Sequence, residues 1–490
     1  MLKDVKLGKI SEIDFNQDEI FIPVFENNLD KISLINKIEL KDREMLLSRV
    51  NKFSFIGEKN QLFSYKNFHF TGLGKAVEFR KEGFGRVLEK IFCLAKKEKH
   101  LKLVLYISSD IQELFKKDFD MGRVVAESFY DSQYEFNKYK SDTKVHKFEE
   151  LILVLEKDCS IQDMNKAFEY SKAIFSGVNL SRNLVNEPAS IIHPDTLAEA
   201  ARNVVAQSNG LFEIEILSEK ECLKLGMNAY IAVSQGSEKP SKFIIIKFLP
   251  NKSEKSIVLI GKSLTFDSGG LSLKPAEGME DMKIDMAGGA LVLGVFKALN
   301  ELKDKPKINI IGVLPACENM PSGNPVKPGD IVKALNGKTI EILNTDAEGR
   351  LTLADALAYS EKYLNPKIVI DFATLTGSIM GALGNDIAGL FGNNKDLNNQ
   401  IKESALEESE YLWEMPLHED YQKLIKSNIA DLRNISKIRV GGSITASLFL
   451  KNFITDKIRW AHLDIAGVAY KKMATGWGVR TVINLLNKIV

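Results

Sequence analysis

Ile257-Val258-Leu259-Ile260-Gly261-Lys262-Ser263-Leu264-Thr265-Phe266-Asp267-Ser268-Gly269-Gly270 reads as a strand that runs directly into a polar, glycine-rich segment. Residues 257–260 are apolar without alternation, the pattern of a strand covered by helices on both faces. Working outward, Phe243-Ile244-Ile245-Ile246, Ile308-Asn309-Ile310-Ile311-Gly312-Val313 and Ile368-Val369-Ile370-Asp371-Phe372 have the same character, with longer helical patterns between them. Strand alternating with helix predicts an α/β domain over 183–490 with a mostly parallel central sheet sandwiched by helices. Ligands of such sheets gather beyond the carboxyl ends of the strands, so the residues after these runs are the first candidates for a site.

Upstream, Leu101–Ile107 and Leu151–Leu155 read as strands and Phe84–Lys97 as an amphipathic helix. They predict a smaller α/β domain over 1–160 that carries no chemical motif. Met164, Ala167, Phe168, Ser171, Ile174 and Phe175 recur at helical spacing, which predicts a linking helix over 161–182. No repeat and no low-complexity tract interrupts the chain.

Across 490 residues, 66 Lys and Arg face 65 Asp and Glu, and 44% of residues are hydrophobic, which excludes a disordered or globally basic chain. Cys93, Cys159, Cys222 and Cys317 show no paired spacing, so neither a disulfide framework nor a cysteine zinc site is expected. The segment 1–8 lacks an apolar signal core and no stretch is long enough to span a bilayer, so a cytoplasmic protein without a membrane role is expected.

Two motif readings fail. Gly261-Lys262-Ser263 ends like a phosphate-binding loop, but Ser256 stands where that loop needs glycine and no helix pattern begins at the lysine. Asp267-Ser268-Gly269-Gly270 resembles the nucleophile segment of trypsin-like proteases, yet that fold is all-β. What remains is acid at strand ends: Asp267, Asp285 before the apolar run 286–293, and Asp346 with Glu348 after Ile340–Leu343. Singly, an Asp before a helix is an N-cap and Asp-Ala-Glu-Gly an ordinary turn. Together, four carboxylates in one crevice repel unless cations neutralise them, and two divalent ions match them charge for charge. His69, His100, His146, His193, His418 and His462 form no His-Glu-x-x-His pattern, which excludes a histidine-based zincin.

Asn344-Thr345-Asp346-Ala347-Glu348-Gly349-Arg350-Leu351 resembles the signature of the leucyl (cytosol) aminopeptidase family. Asn183-Leu184-Val185-Asn186-Glu187-Pro188, the segment 261–270, Met282-Lys283-Ile284-Asp285-Met286 and Pro328-Gly329-Asp330 precede it in the family's order. Ala373-Thr374-Leu375-Thr376-Gly377 and His462-Leu463-Asp464-Ile465-Ala466-Gly467 follow. The resemblance covers the chain from about residue 180 onward. Ser263, where relatives commonly have glycine, and Gly288-Gly289-Ala290, in place of an alanine-richer run, are its departures.

This resemblance implies a metallo-exopeptidase that removes N-terminal residues, leucine and other apolar ones favoured, from short peptides with a free N-terminus. It implies two divalent ions per subunit, zinc or manganese and at times cobalt. Lys262, Asp267, Asp285 and Glu348 would hold one and Asp267, Asp346 and Glu348 the other. It further implies a metal-activated water, Lys274 stabilising the oxyanion, and an Arg350-bound bicarbonate as general base, with Lys262 neutral through a lowered pKa. Met282, Asn344, Ala347, Thr374, Leu375 and Gly377 correspond to substrate-contacting positions, and a homohexamer, a dimer of trimers, is the implied assembly. Some bacterial relatives also bind DNA, so a regulatory DNA-binding role is the alternative, supported here only by the basic run 96–102. A dimetal phosphohydrolase would fit four carboxylates but leaves the lysine ligand unexplained.

Overall fold

The computed structural model describes residues 4–141, 148–251 and 254–489, so His146 lies outside the described residues. The chain divides into two compact units, Met1–Phe175 and Ser176–Val490, and the division falls inside one helix, Ile161–Asn186.

The first unit is built on six strands: β1 (Asp4–Gly8), β2 (Ile20–Phe25), β3 (Leu62–Tyr65), β4 (Phe68–Gly74), β5 (Lys102–Ile107) and β6 (Glu150–Leu155). They lie in the order β1-β6-β5-β2-β4-β3, parallel except for the antiparallel edge strand β3. The helix Lys81–Lys97 buries Phe84, Val87, Leu88, Ile91, Phe92 and Ala95. Their spacing of three and four residues makes one apolar stripe.

The second unit centres on a nine-stranded sheet. Its strands are β7 (Glu213–Ser218), β8 (Lys242–Phe248), β9 (Ser256–Gly261), β10 (Ser263–Asp267), β11 (Asn309–Asn319), β14 (Pro366–Ala373), β15 (Ile387–Gly392), β16 (Tyr411–Glu414) and β18 (Arg459–Asp464). Three short strands, β12 (Ile331–Lys333), β13 (Thr339–Glu341) and β17 (Leu432–Arg433), form a separate sheet. In the large sheet β18, β14, β9, β11 and β10 pair in parallel, and β8, β7 and β15 join antiparallel. Val258 and Ile260 of β9 share a core with Leu353 and Leu357 of the helix Gly349–Tyr363. The helix Ala287–Glu301, buried on nearly every side, packs against β9, β11 and β14. Helices on these strands explain the continuous apolar runs. Truncating one such leucine to alanine would cost about 2–5 kcal/mol.

The structure corrects two boundaries. The strand expected to end at Val313 runs on to Asn319, and Asp267 ends a strand of its own, because Ser263–Asp267 pairs in parallel with the extended part of β11. Lys262 is followed by a strand and not a helix, as its refusal as a phosphate-binding loop requires.

Candidate metal centre

Three strand or turn ends deliver the acids. Parallel pairing puts Asp267 opposite Asn319, whose Nδ2 donates to Asp267 Oδ1 at 2.8 Å. Gly269 and Gly270 follow with φ of +86° and +65°, where a Cβ at Gly270 would stand 2.7 Å from Asn319 Oδ1. Only glycine takes this turn without strain. It doubles the chain back, and Lys274 Nζ reaches Asp267 Oδ2 at 2.8 Å and Asp346 Oδ1 at 2.5 Å.

Asp285 sits in the single turn Met282–Met286 that opens the helix Ala287–Glu301. Its Oδ1 accepts from Lys262 Nζ at 2.7 Å and from Thr374 Oγ1 at 2.8 Å. Glu348 is the residue before the helix Gly349–Tyr363, with Oε1 3.0 Å from Lys262 Nζ. A Cβ on Gly349 would run into Lys262 Cε, which explains a glycine there. One carboxylate oxygen each from Asp267, Asp285 and Glu348 lies within 4.8 Å of the others. Asp346 joins this cluster through Lys274. With Lys274 19% and Asp346 32% exposed, the cluster opens to solvent on their side.

Burial, with repulsion from Glu348, raises Asp267 above the usual carboxylate range, and burial pushes Asp285 well above it. Asp346 is also raised by burial. For Lys262, burial acts downward, but Asp285, Glu348 and Asp267 overcome it and raise the amine. The expected lowering of Lys262 therefore needs a neighbouring dication, since the protein's own carboxylates act in the opposite sense. The donor set fits such ions: hard oxygens in excess, one amine, and a buried Glu348 Oε2 that accepts no hydrogen bond among the described residues.

Arg350 is buried, which draws its guanidinium down to about 10 against Glu348 and Asp464. Its Nη1 donates to the Asn434 carbonyl at 2.7 Å, and its Nε has no partner among the described residues. An unfilled donor on a planar guanidinium suits a planar oxyanion such as bicarbonate.

Of the remaining expected residues, Thr374 touches the cluster directly, and its carbonyl also accepts from Lys262 Nζ at 3.0 Å. Asn344 Oδ1 accepts from the Asp346 amide at 2.9 Å, and Ala347 lies in the same turn. Leu375 N bonds to Asp464 Oδ1 at 3.2 Å. Met282 and Gly377 are placed by their elements alone, Met282 opening the turn that carries Asp285 and Gly377 starting an exposed helix.

Two residues escaped the sequence reading. Asn319 was hidden by ending its strand six residues early. Asn434 comes from a distant loop. Parallel pairing of β13 with β17 brings it to residues 343–344, where Oδ1 accepts from Leu343 N at 2.8 Å and Nδ2 donates to Asn344 O at 2.6 Å. The two departures from the family pattern meet: a Cβ on Gly289 would collide with Ser263 Oγ. In the basic run, Lys96 pairs with Glu135 and Lys102 with Asp18, so acids neutralise part of it. Among the described residues no helix is long and apolar enough to cross a membrane.

Residues 179–483 match the catalytic domain of the cytosol aminopeptidase family. A probable cytosol aminopeptidase of Haemophilus influenzae (strain PittEE) is 39% identical over 489 residues, 96% of either chain. One from Caulobacter vibrioides is 44% identical over 401 residues, covering 80% of this chain and 78% of its own. Among solved structures, a mutant of tomato leucine aminopeptidase superposes with a TM-score of 0.89 at 33% identity, over 100% of this chain and 97% of its own. The bottromycin maturation enzyme BotP, in complex with Mn, gives 0.82 at 27% identity over 96% and 98%. Likeness along nearly the whole length, and not at the acidic segments alone, places this chain in the cytosol aminopeptidase family, and with it among the metal-dependent exopeptidases.

Proposed function

We propose that the chain removes N-terminal residues, apolar ones such as leucine foremost, from short peptides, with Lys262, Asp267, Asp285 and Glu348 holding one divalent ion and Asp267, Asp346 and Glu348 the other. The observation that carries this reading is the buried convergence of Asp267, Asp285 and Glu348 around Lys262, with Lys274 on its open side. Zinc, manganese and cobalt all suit this oxygen-rich set with one nitrogen. When bound, the two dications supply Lewis acidity, which acidifies water and polarises the scissile carbonyl, and a ligand position for a free α-amino group.

The chain's own groups do the rest. Burial acts to lower Lys274, but Asp267 and Glu348 outweigh it and raise the amine. A fixed cation in a partly dry site stabilises the negative charge that develops on the carbonyl oxygen. Lys262 holds the inner carboxylates together and would, beside a dication, be the nitrogen ligand once its amine is neutral. Arg350 would hold a bicarbonate ion through its planar fork, an anion that would provide the proton acceptor that the site lacks as a side chain. Met282 forms an apolar wall for the first side chain, and Asn344, Ala347, Thr374, Leu375 and Gly377 border the peptide. Assembly as a hexamer, a dimer of trimers, would limit substrates to short peptides, and light scattering of the native protein tests it by mass.

Steady-state hydrolysis of leucyl p-nitroanilide and its N-acetyl counterpart tests the function. The free amine should react at least 10³-fold faster in kcat/KM, a difference of about 4 kcal/mol. Comparable rates would overturn the reading.

A further inference from the structure

The first unit holds a second convergence of ligating side chains that the peptidase reaction does not use. Glu19 precedes β2, His69 lies in β4 opposite Phe21, and His100 stands between the helix Lys81–Lys97 and β5. Three backbone features bring them together. The Val104 amide donates to Glu19 O at 3.0 Å, fixing the start of β2 beside β5. Lys99, at φ +65°, ends the helix in a left-handed turn that projects His100 back toward the sheet, with its amide on Ala95 O at 3.1 Å. The Phe21 ring stacks on His69 at 4.5 Å and 14°, setting the plane of the imidazole.

One ligand atom from each of Glu19, His69 and His100 lies within 4.8 Å of the other two. His69 Nε2 is 2.8 Å from Glu19 Oε2, and His100 Nδ1 is 3.7 Å from Glu19 Oε1. A tetrahedral zinc ion with bonds of about 2.0–2.1 Å separates its donors by about 3.3–3.5 Å, a value that falls between these two distances, each taken to a different oxygen of Glu19. The far nitrogens are engaged as well: His69 Nδ1 with Ser64 Oγ at 2.9 Å, and His100 Nε2 with Glu98 Oε2 at 3.1 Å. Outer partners of this kind fix the tautomer and aim of metal-binding histidines. His69 is nearly enclosed, whereas Glu19 and His100 keep partial exposure, enough for water as a fourth ligand.

We propose that Glu19, His69 and His100 form a zinc site in the first unit, separate in its ligands from the peptidase cluster. Two imidazoles and one carboxylate select a borderline ion such as zinc over magnesium or calcium. The ion ties β2 and β4 to the segment that enters β5, and so stabilises the folded unit wherever zinc is available.

The test uses the full-length protein, stripped of metal and dialysed against micromolar Zn²⁺. The peptidase cluster contains no histidine, so imidazole ring scattering in the zinc X-ray absorption spectrum that is lost in the variants reports this site. Wild type should show that scattering and bind one zinc more per chain than Glu19→Gln or His100→Gln, with leucyl anilide hydrolysis unchanged in both variants. That difference of one holds whatever the peptidase cluster binds, so failure here is distinguishable from failure of the proposed function. Equal zinc in wild type and variants overturns the proposal. So does absence of imidazole scattering in wild type, which needs no variant to fold.

Discussion

Replacing Lys274 with alanine removes the ammonium that contacts Asp267 and Asp346 on the open side of the acidic cluster. It stands 2.8 Å from Asp267 and 2.5 Å from Asp346, so its charge sits at contact distance from the groups assigned to the metals. A unit charge about 4 Å from a full negative charge is worth about 4 kcal/mol at an effective dielectric of 20. The 19% exposure of Lys274 admits water and screens part of this, leaving about 3 kcal/mol, or roughly 10²-fold in rate. Because the ground-state carbonyl carries little charge, the loss should appear in kcat while KM stays within a few-fold. Lys274→Arg keeps the charge and should recover part of the rate. The assay is steady-state hydrolysis of leucyl p-nitroanilide, with metal content measured on the same samples, since two freed carboxylates also change metal affinity. A Lys274→Ala protein with both metals bound and wild-type kcat would refute the assignment.

The Asp355 carboxyl, buried and accepting from the Tyr230 and Leu335 amides, is pushed up to about 7 by burial. An unfolded Asp ionises near 3.8. The stability the raised group contributes is thus fully present below pH 4 and lost as pH rises toward 7. The destabilisation by Asp355→Asn, followed by thermal unfolding, should be largest near pH 4 and shrink by up to about 4 kcal/mol by pH 7.5; a pH-independent difference contradicts this. Gly289→Ala should cost about 1–2 kcal/mol, because overpacking against Ser263 exceeds the helix-propensity gain of up to about 1 kcal/mol. Adding Ser263→Gly should turn that cost into a gain, and strict additivity of the two changes would show that the residues do not press on each other. Asn434→Ala leaves the Leu343 amide without its acceptor, at a cost of about 1–3 kcal/mol. By loosening the turn that carries Asp346 it should weaken metal binding and lower kcat together, and wild-type values in both would sink its positioning role.

The parallel sheet was legible in the chain because helices bury both faces of its central strands, leaving continuous apolar runs such as Ile257–Ile260. Asp267, Asp285, Asp346 and Glu348 could be read as one group because each follows a strand or opens a helix in a sheet of known polarity. Asn319 was lost because Pro315 and the polar end of the segment break the apolar pattern beyond Val313 in a strand that the sheet nonetheless continues to Asn319. Asn434 was out of reach, since only the two-residue pairing of β17 with β13 brings it beside the turn at 343–344. Ser263 and Gly289 looked like two departures and are one packing contact. Spacing along the chain hides His69 and His100, 31 residues apart in sequence and with rings 5.8 Å apart in the fold.

The assignment of two metal ions to five side chains, Lys262, Asp267, Asp285, Asp346 and Glu348, stands or falls on where the ions bind. Anomalous diffraction at the zinc edge from crystals of the zinc-loaded protein tests it most directly. Two peaks are expected in the second unit, one touching Lys262 Nζ and Asp285, the other touching Asp346, with Asp267 and Glu348 bound to both. A single peak there, or two peaks with Lys262 still paired to Asp285 and bound to neither ion, would contradict it.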